Sequence, residues 1–462
     1  MGHRSRFVLD SLKHHNRHLT DADRLGKYGK MAQSAFRFYR GTNHIFWSDF
    51  GRDERLRQFG SDKTRIWIQG DLHTDNYGAY GNDDNDVVYS LNDFDDAIVA
   101  DYQYDIWRMA ISIILVAHQV SAYSLTRKDI ERVMDAFVEG YLDTLGEHRG
   151  TPGEHQITFT GDALTGHLDD FLEKVDHRTT RTKFLTQWTV LDADQSDQKK
   201  SKKRKKGKRV FNTEGVPGKL APVTAHERTA IAQQMEQYGA TLTGKIDYDA
   251  HHFDIQDIAK RINAGTGSLG ATRYYVLIST GSTNPDKGRI LDVKHQTEPT
   301  PYQYMTEGDR QTYEQVFGNN HASRHAFAYR ALTNKTDDYL GWMHLKQLPN
   351  HEPAYFSVRE LSPYKRAFDV TRIPNLKIFE AVAANWGLIL ATAHARSDKN
   401  LDRTFINYSF EKQVDKITQG HHDEFRSLVK AIAFPYAEQV ETDWQTFVKS
   451  DLTAKKIAPP KA

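Results

Sequence analysis

The sequence predicts an α+β protein in two lobes, a small β-rich lobe seated on a larger helical one, and three observations predict it. Two short apolar runs near the start, Thr64 to Gln69 and Val87 to Leu91, each end in a loop dense in Asp and Asn. The clearest strands cluster later, between Ala271 and Arg359. Helical periodicity fills the rest, notably up to about Gly60, from Asp105 to about Glu147, and from Leu376 to Arg396. The predicted organisation has 1–150 as part of the helical lobe with two functional loops, 151–250 as an insert, 251–362 as the β-rich lobe and 363–462 completing the helical lobe.

Each element has its own signal. Ile66 and Ile68 alternate as in a half-buried strand, and Gly70 to Gly78 reads as a loop. Asn82 to Asn85 is an Asn/Asp turn into the second strand. Asp105 to Gln119 is apolar on nearly every side, the pattern of a helix at the centre of a lobe. In the insert, Lys199 to Arg209 holds nine basic residues in eleven, next to Asp192, Asp194 and Asp197, and reads as a solvated segment. Thr224 with Glu227 is a capping-box signal for a helix to about Tyr238. Arg273 to Ile278 and Arg289 to Lys294 pair as a hairpin across the turn Thr280 to Gly288. Tyr355 to Arg359 is another strand, Trp342 to Gln347 a further candidate, and Ala322 to Leu332 a helix.

Composition excludes several classes. With 462 residues, 38% of them hydrophobic, the chain has material for a sizeable core. A formal net charge of +1 confines any attraction to nucleic acid to a local patch, the Lys199–Arg209 run. The absence of cysteine removes disulfides, thiolate metal sites and thiol nucleophiles. Met1 to Leu19 is rich in His and Arg without an apolar run, unlike a secretory signal. The richest apolar stretch, Ile106 to Val120, is too short and too interrupted to span a bilayer. The expectation is a soluble cytoplasmic protein with no membrane partner.

The chemistry sits in four motifs. Asp71 and Asn76 have the Asp-x-x-x-x-Asn spacing that phosphoryl transfer uses to orient a hydroxyl and hold a metal, although Asx-rich loops also form plain turns. Asp93, at the end of the second strand in Asn92-Asp93-Phe94-Asp95-Asp96, suits Mg²⁺, and Asp95 could add a ligand. A D-x-D metal site of a sugar-nucleotide transferase is the other reading, weakened by the lack of a Rossmann-type half. Gly265, Gly267 and Gly270, with Ser268 among them, fit G-x-G-x-x-G; a strand follows, as in a phosphate-covering loop, and not a helix. Lys294 ends the returning strand, where a phosphate-binding lysine belongs, while an edge lysine reaching solvent is the alternative. Asp105 opens the buried helix and suits a capping or loop-supporting role. His394 sits at a helix end, where a cation suits the dipole, and Arg40 and Arg108 read as structural pairs.

Together these segments, with Phe36 to Gly41, Asp105 to Arg108, Tyr339 to Trp342, Val358 to Leu361 and Ala393 to Arg396, resemble the bacterial DUF2252 proteins over most of the chain. The Gly-Asp-Leu-His-x-x-Asn and Asp-Phe-Asp-Asp segments look like those of aminoglycoside and choline phosphotransferases. The resemblance implies a protein-kinase-like fold, with Asp71 as base, Asn76 and Asp93 on metal, and the glycine loop and Lys294 on phosphate. Two departures stand out. The glycine loop follows the catalytic loops, so the chain is circularly permuted, with Leu376 to Arg396 standing before the catalytic loop in space. Phe327 occupies the place where relatives carry the glutamate that pairs with the lysine, and Glu314 is the candidate substitute.

The expected function is therefore ATP- and Mg²⁺-dependent phosphotransfer to a hydroxyl of a small-molecule acceptor, with adenine against Tyr355 to Leu361. A nucleotide-binding regulatory protein without transfer, prompted by Phe327, and transfer of AMP by the same fold are the alternatives.

Overall fold

Alternation of apolar and charged residues decides most of the β-structure. The computed structural model describes residues 2–82, 86–164, 166–178, 180–192, 208–242, 248, 251–263, 271–348 and 352–454. The glycine stretch 265–270, most of the basic run and the tip of the Asn82–Asn85 turn lie outside these residues. In chain order the strands are β1 (Arg65–Ile68), β2 (Tyr77–Gly81), β3 (Val87–Leu91), β4 (Ile98–Asp101), β5 (Thr189–Asp192), β6 (Lys208–Phe211), β7 (Leu220–Pro222), β8 (Ile255–Arg261), β9 (Arg273–Ile278), β10 (Arg289–His295), β11 (Gly341–Leu345), β12 (Ala354–Glu360) and β13 (Arg366–Ala367). Six of them form one sheet in the order β11-β12-β10-β9-β8-β7.

One face of this sheet buries Tyr274, Val276, Leu291, Val293 and Val358 against Ile231, Met235 and Tyr238. Ile231 belongs to the helix Ala225–Ala232, whose predicted capping box is present at Thr224 and Glu227. The helical signal there breaks into two pieces, the second being Met235–Gly239. The strand β8 was not foreseen: Ile255 to Arg261 mixes charge and apolar residues, and its pairing with β9 carries a register irregularity between Ile255 and Asp257.

The helical part is built round the helix Gln103–Ala117, every residue of which is buried. The helix Leu376–Arg396 packs along Arg127–His148. It is the one described helix long and apolar enough to cross a membrane by length and composition, and 61% of its apolar window is buried inside the protein. Into this lobe are set two small sheets, β1-β4 and β13-β2-β3. The stretch Gly70 to Gly78, read as loop, ends in β2, because Tyr77 and Ala79 pack inward while the backbone pairs with β3. An early and a late helix meet: Arg4 forms an ion pair with Asp443 at 2.7 Å, from helices His3–His15 and His422–Val448.

Candidate active site at the junction of the lobes

The loop after β1 is shaped by one carboxylate. Asp105, 1% exposed in the first turn of the central helix, accepts the backbone N–H of Gln69 at 2.7 Å and of Gly70 at 3.0 Å. Buried amides left unpaired would each cost about 1–3 kcal/mol, so this carboxylate fixes the loop's entry. His394 supports it from the end of Leu376–Arg396, with Nε2 3.3 Å from Asp105 and Nδ1 2.9 Å from the Tyr141 hydroxyl. His394 does lie in the last turn of its helix, as the sequence suggested, but it is fully buried and holds Asp105. Gly70 has φ +79°, and a Cβ there would come within 2.1 Å of the Asp96 carbonyl oxygen. Only glycine satisfies both demands.

Asp71 follows at once. Its Oδ1 accepts from Arg108 Nε at 2.8 Å, and the Arg108 guanidinium is buried over the rings of Tyr39 and Phe46. Burial pushes the Asp71 carboxyl up; Arg108 opposes this and Asp96 and Asp93 add to it, leaving it at about 7. The side chain of Gln69 ties the two loops together: its Oε1 accepts the Asp71 N–H at 2.8 Å and its Nε2 donates to the Asp93 carbonyl. Asn76 donates from Nδ2 to the Asp71 carbonyl at 3.0 Å, which commits its nitrogen and leaves Oδ1 to act as a ligand. The Asn92 N–H donates to the Asn76 carbonyl at 3.1 Å, setting Asn76 beside the Asp93 loop.

From the sheet, Lys294 of β10 pairs with Asp95, as does Gln296 Nε2 at 3.1 Å, with His325 Nε2 3.7 Å away. Burial raises the Asp95 carboxyl, but Lys294, His325 and the two hydrogen bonds outweigh it and hold it well below the usual range. Both oxygens of Asp95 are thus engaged, so the added metal-ligand role expected of it is taken up by contact with Lys294. Asp93 is the opposite case. Burial and the neighbouring Asp95 push its carboxyl up, and no ion pair holds it among the described residues. A carboxylate in this state, beside a free amide oxygen at Asn76, is a fit for a hard cation such as Mg²⁺.

Phe327 lies in an aromatic cluster with Trp67, Phe317 and Phe405 at centroid distances of 5.3, 5.8 and 5.4 Å. Glu314 accepts from the Tyr302 hydroxyl at 2.5 Å. Lys294 takes Asp95 in their place, while the helix His321–Leu332 acts through Arg324, whose Nη1 donates to the Phe94 carbonyl at 2.8 Å. Arg324 was not singled out in the sequence, nor were the cavity residues Arg273, Asp292, Arg359 and Lys365.

Those residues, with Asp93, Asp95 and Lys294, line a cavity of about 210 Å³. Arg273 donates to Asp292 from Nε at 2.5 Å, and Arg359 Nε stands 4.0 Å from the same carboxylate. In the Asp71 loop His73 is buried and neutral, edge-on to the Phe36 ring, and Arg40 pairs with Asp75 at 2.5 Å. No pocket residue comes from the described part of the basic insert, whose Arg209 pairs with Asp286 at 2.5 Å.

No curated protein and no solved structure matches this chain. A family model described as an uncharacterized protein conserved in bacteria (DUF2252) matches residues 22–450. That span covers the loops of Asp71 and Asp93, the six-stranded sheet and the helix carrying His394. The chain belongs to the DUF2252 family.

Proposed function

We propose that the protein is an ATP- and Mg²⁺-dependent phosphotransferase with a permuted protein-kinase-like fold, acting on a hydroxyl of a small molecule. The observation that carries the reading is the contact between Lys294 and the Asp93–Asp95 loop, which brings a phosphate-type lysine to a metal-type carboxylate from opposite lobes. Two features of the chain support the permutation. The 265–270 glycine stretch lies between the adjacent strands β8 and β9, with Lys294 on the next neighbour, β10. Arg4 and Asp443 also join the helices His3–His15 and His422–Val448, so that early and late segments complete one helical lobe, as a permuted lobe requires.

In this reading Asp71 accepts the proton of the acceptor hydroxyl as its oxygen bonds to the γ-phosphorus and ADP leaves. Arg108 sets the direction of the Asp71 carboxylate. Asn76 and Asp93 would hold Mg²⁺, which supplies charge neutralisation on the phosphates when bound. Lys294, steadied by Asp95, contacts the phosphates, and the glycine stretch covers them. Asp95 answers the missing glutamate, which removes the motive for a regulatory protein without transfer. The test is ATP turnover, scanned over hydroxyl metabolites, in the wild type against Asp71→Asn and Asp93→Asn. Turnover should fall by about 10³-fold or more in both, and unchanged turnover in both variants would sink the reading.

A further inference from the structure

The sheet face that carries Lys294 is arranged in rows. The first row is Lys294, with Arg273 and Ser357 as its register partners on β9 and β12. The second is Asp292, flanked by Tyr275 and Arg359. The third is apolar, Ile290 beside Leu277. That third row is not open. The protein's own insert covers it: Leu185 and Phe211 bury there with Phe184 and Trp188 packed around them. An ion pair from Arg181 to Glu360 pins the helix Arg181–Trp188 in this position.

What stays open is therefore walled by charge. Around the second row Arg273, which reaches back from the first row, Arg359 and Lys365 share the cavity with Asp292 and with Asp93 of the facing loop. Asp292 is already committed to Arg273 and lies near Arg359. The Lys365 ammonium makes no ion pair or hydrogen bond among the described residues, and it shares the cavity wall with Arg359. Four cations, Arg273, Lys294, Arg359 and Lys365, thus face three carboxylates, Asp93, Asp95 and Asp292, and the excess positive charge is relieved by an anion. A purine, by contrast, needs apolar walls and would have to strip water from this network. The stretch Tyr355 to Leu361, expected to line adenine, presents Ser357 and Arg359 to the cavity.

We propose that the second row, between Arg273, Arg359 and Lys365, is a phosphate subsite, so that the donor is gripped along a polyphosphate chain and its base is not a recognition element. The inference rests on the reading of this cleft as a phosphate-donor site. It names the donor class: a nucleoside polyphosphate of any base, or inorganic polyphosphate.

The experiment is calorimetric titration of the full chain with ATP, GTP, inorganic tripolyphosphate and adenosine, each with Mg²⁺, repeated on Lys365→Ala, Lys365→Arg and Asp93→Asn. Lys365 is exposed at the cavity rim, so its variants should fold. ATP and GTP should bind within a few-fold of each other, tripolyphosphate should bind, and adenosine should not. Lys365→Ala should weaken every phosphate ligand by about tenfold or more, and Lys365→Arg should restore most of it. Nucleotides binding tighter than tripolyphosphate would identify a nucleoside polyphosphate as the ligand, and the reverse order inorganic polyphosphate. Binding of adenosine, strong preference for ATP over GTP, or unchanged tripolyphosphate affinity in Lys365→Ala would each overturn the subsite. If Asp93→Asn still abolished Mg-ATP binding in that case, the donor-site reading would stand without it. A wild type that binds none of the phosphate ligands would overturn both.

Discussion

Lys294 and Asp95 form an ion pair across 199 positions of sequence, joining the last turn of β10 to the loop after β3. The two groups are 15% and 28% exposed, so the attraction is only partly screened by water. It ties the six-stranded sheet to the Asp93–Asp95 loop, and in the proposed reading it lies where the phosphates of the donor would sit. A double-mutant cycle of Lys294→Met and Asp95→Asn, read by urea unfolding, should give a coupling energy of about 1–3 kcal/mol. Because the folded Asp95 carboxyl is depressed, its contribution is full above the usual carboxylate range near pH 4 and fades as the pH falls below it. Coupling near zero at pH 7 would mean that the pair does not join the lobes.

Phe327 gives a second test, since two roles for its position predict opposite results. If the position belonged to the lysine's partner, Phe327→Glu would strengthen Lys294 and nucleotide binding. The structure half-buries Phe327 among Trp67, Phe317 and Phe405, so a glutamate there would place a carboxylate in an aromatic cluster. Phe327→Glu should lower stability by about 3 kcal/mol or more and leave nucleotide affinity no better. Phe327→Leu should cost less than half as much. Thermal unfolding with and without Mg-ATP separates the two outcomes.

How far the site was legible follows from which residues act locally. The placement of Asp71, Asn76 and Asp93 was readable because it depends on spacing within one loop or on position at a strand end. The place of Lys294 was readable because β9 and β10 pair as the predicted hairpin, and the register sets it opposite Arg273. The partner of Lys294 was not, because a contact between strands 199 positions apart leaves no mark in either segment, and Phe327 looked like a vacancy only by analogy. The charged second row had a signal that went unused. Asp292 with Lys294, Ser357 with Arg359, and Arg273 with Tyr275 are each two apart on paired strands, which places them on one face. β8 was missed because its residues are neither cleanly alternating nor uniformly apolar, and β2 because glycines at both Gly78 and Gly81 read as loop.

The loop entry predicts a cooperative failure. Asp105→Ala would leave the amides of Gln69 and Gly70 unpaired and remove the contact of His394, all in the core. The expected loss is about 3–5 kcal/mol by denaturant titration, against about 1 kcal/mol for a surface carboxylate such as Glu131. Gly70→Ala should be comparably damaging, through the 2.1 Å approach to the Asp96 carbonyl and the positive φ. His394→Asn, which keeps a donor but shortens it, should cost less stability than Asp105→Ala yet still lower turnover. Equal stability of wild type and Asp105→Ala would show that the loop is not held by this carboxylate.

The acid–base behaviour of Asp71 makes the sharpest prediction, because its sign is fixed by named neighbours. Burial raises the carboxyl to about 7 although Arg108 pulls it down. As the base it must be ionised, so ATP turnover should rise with pH through about 7 and level off above it. Stability runs the other way. The unfolded carboxyl ionises near the usual value, about 4, and the folded one near 7, so this group lowers stability as pH climbs between the two and adds no slope beyond. Asp71→Asn should remove that slope. Arg108→Met takes away the pull of the guanidinium, so the acid limb of turnover should move up by about one pH unit or more, leaving little activity at pH 7 and recovering part of it near pH 9. A merely structural role for Arg108 would lower turnover equally at every pH. A pH profile of kcat/KM for the two proteins, measured with saturating Mg²⁺, decides between them, since only a residue that tunes Asp71 can shift the limb.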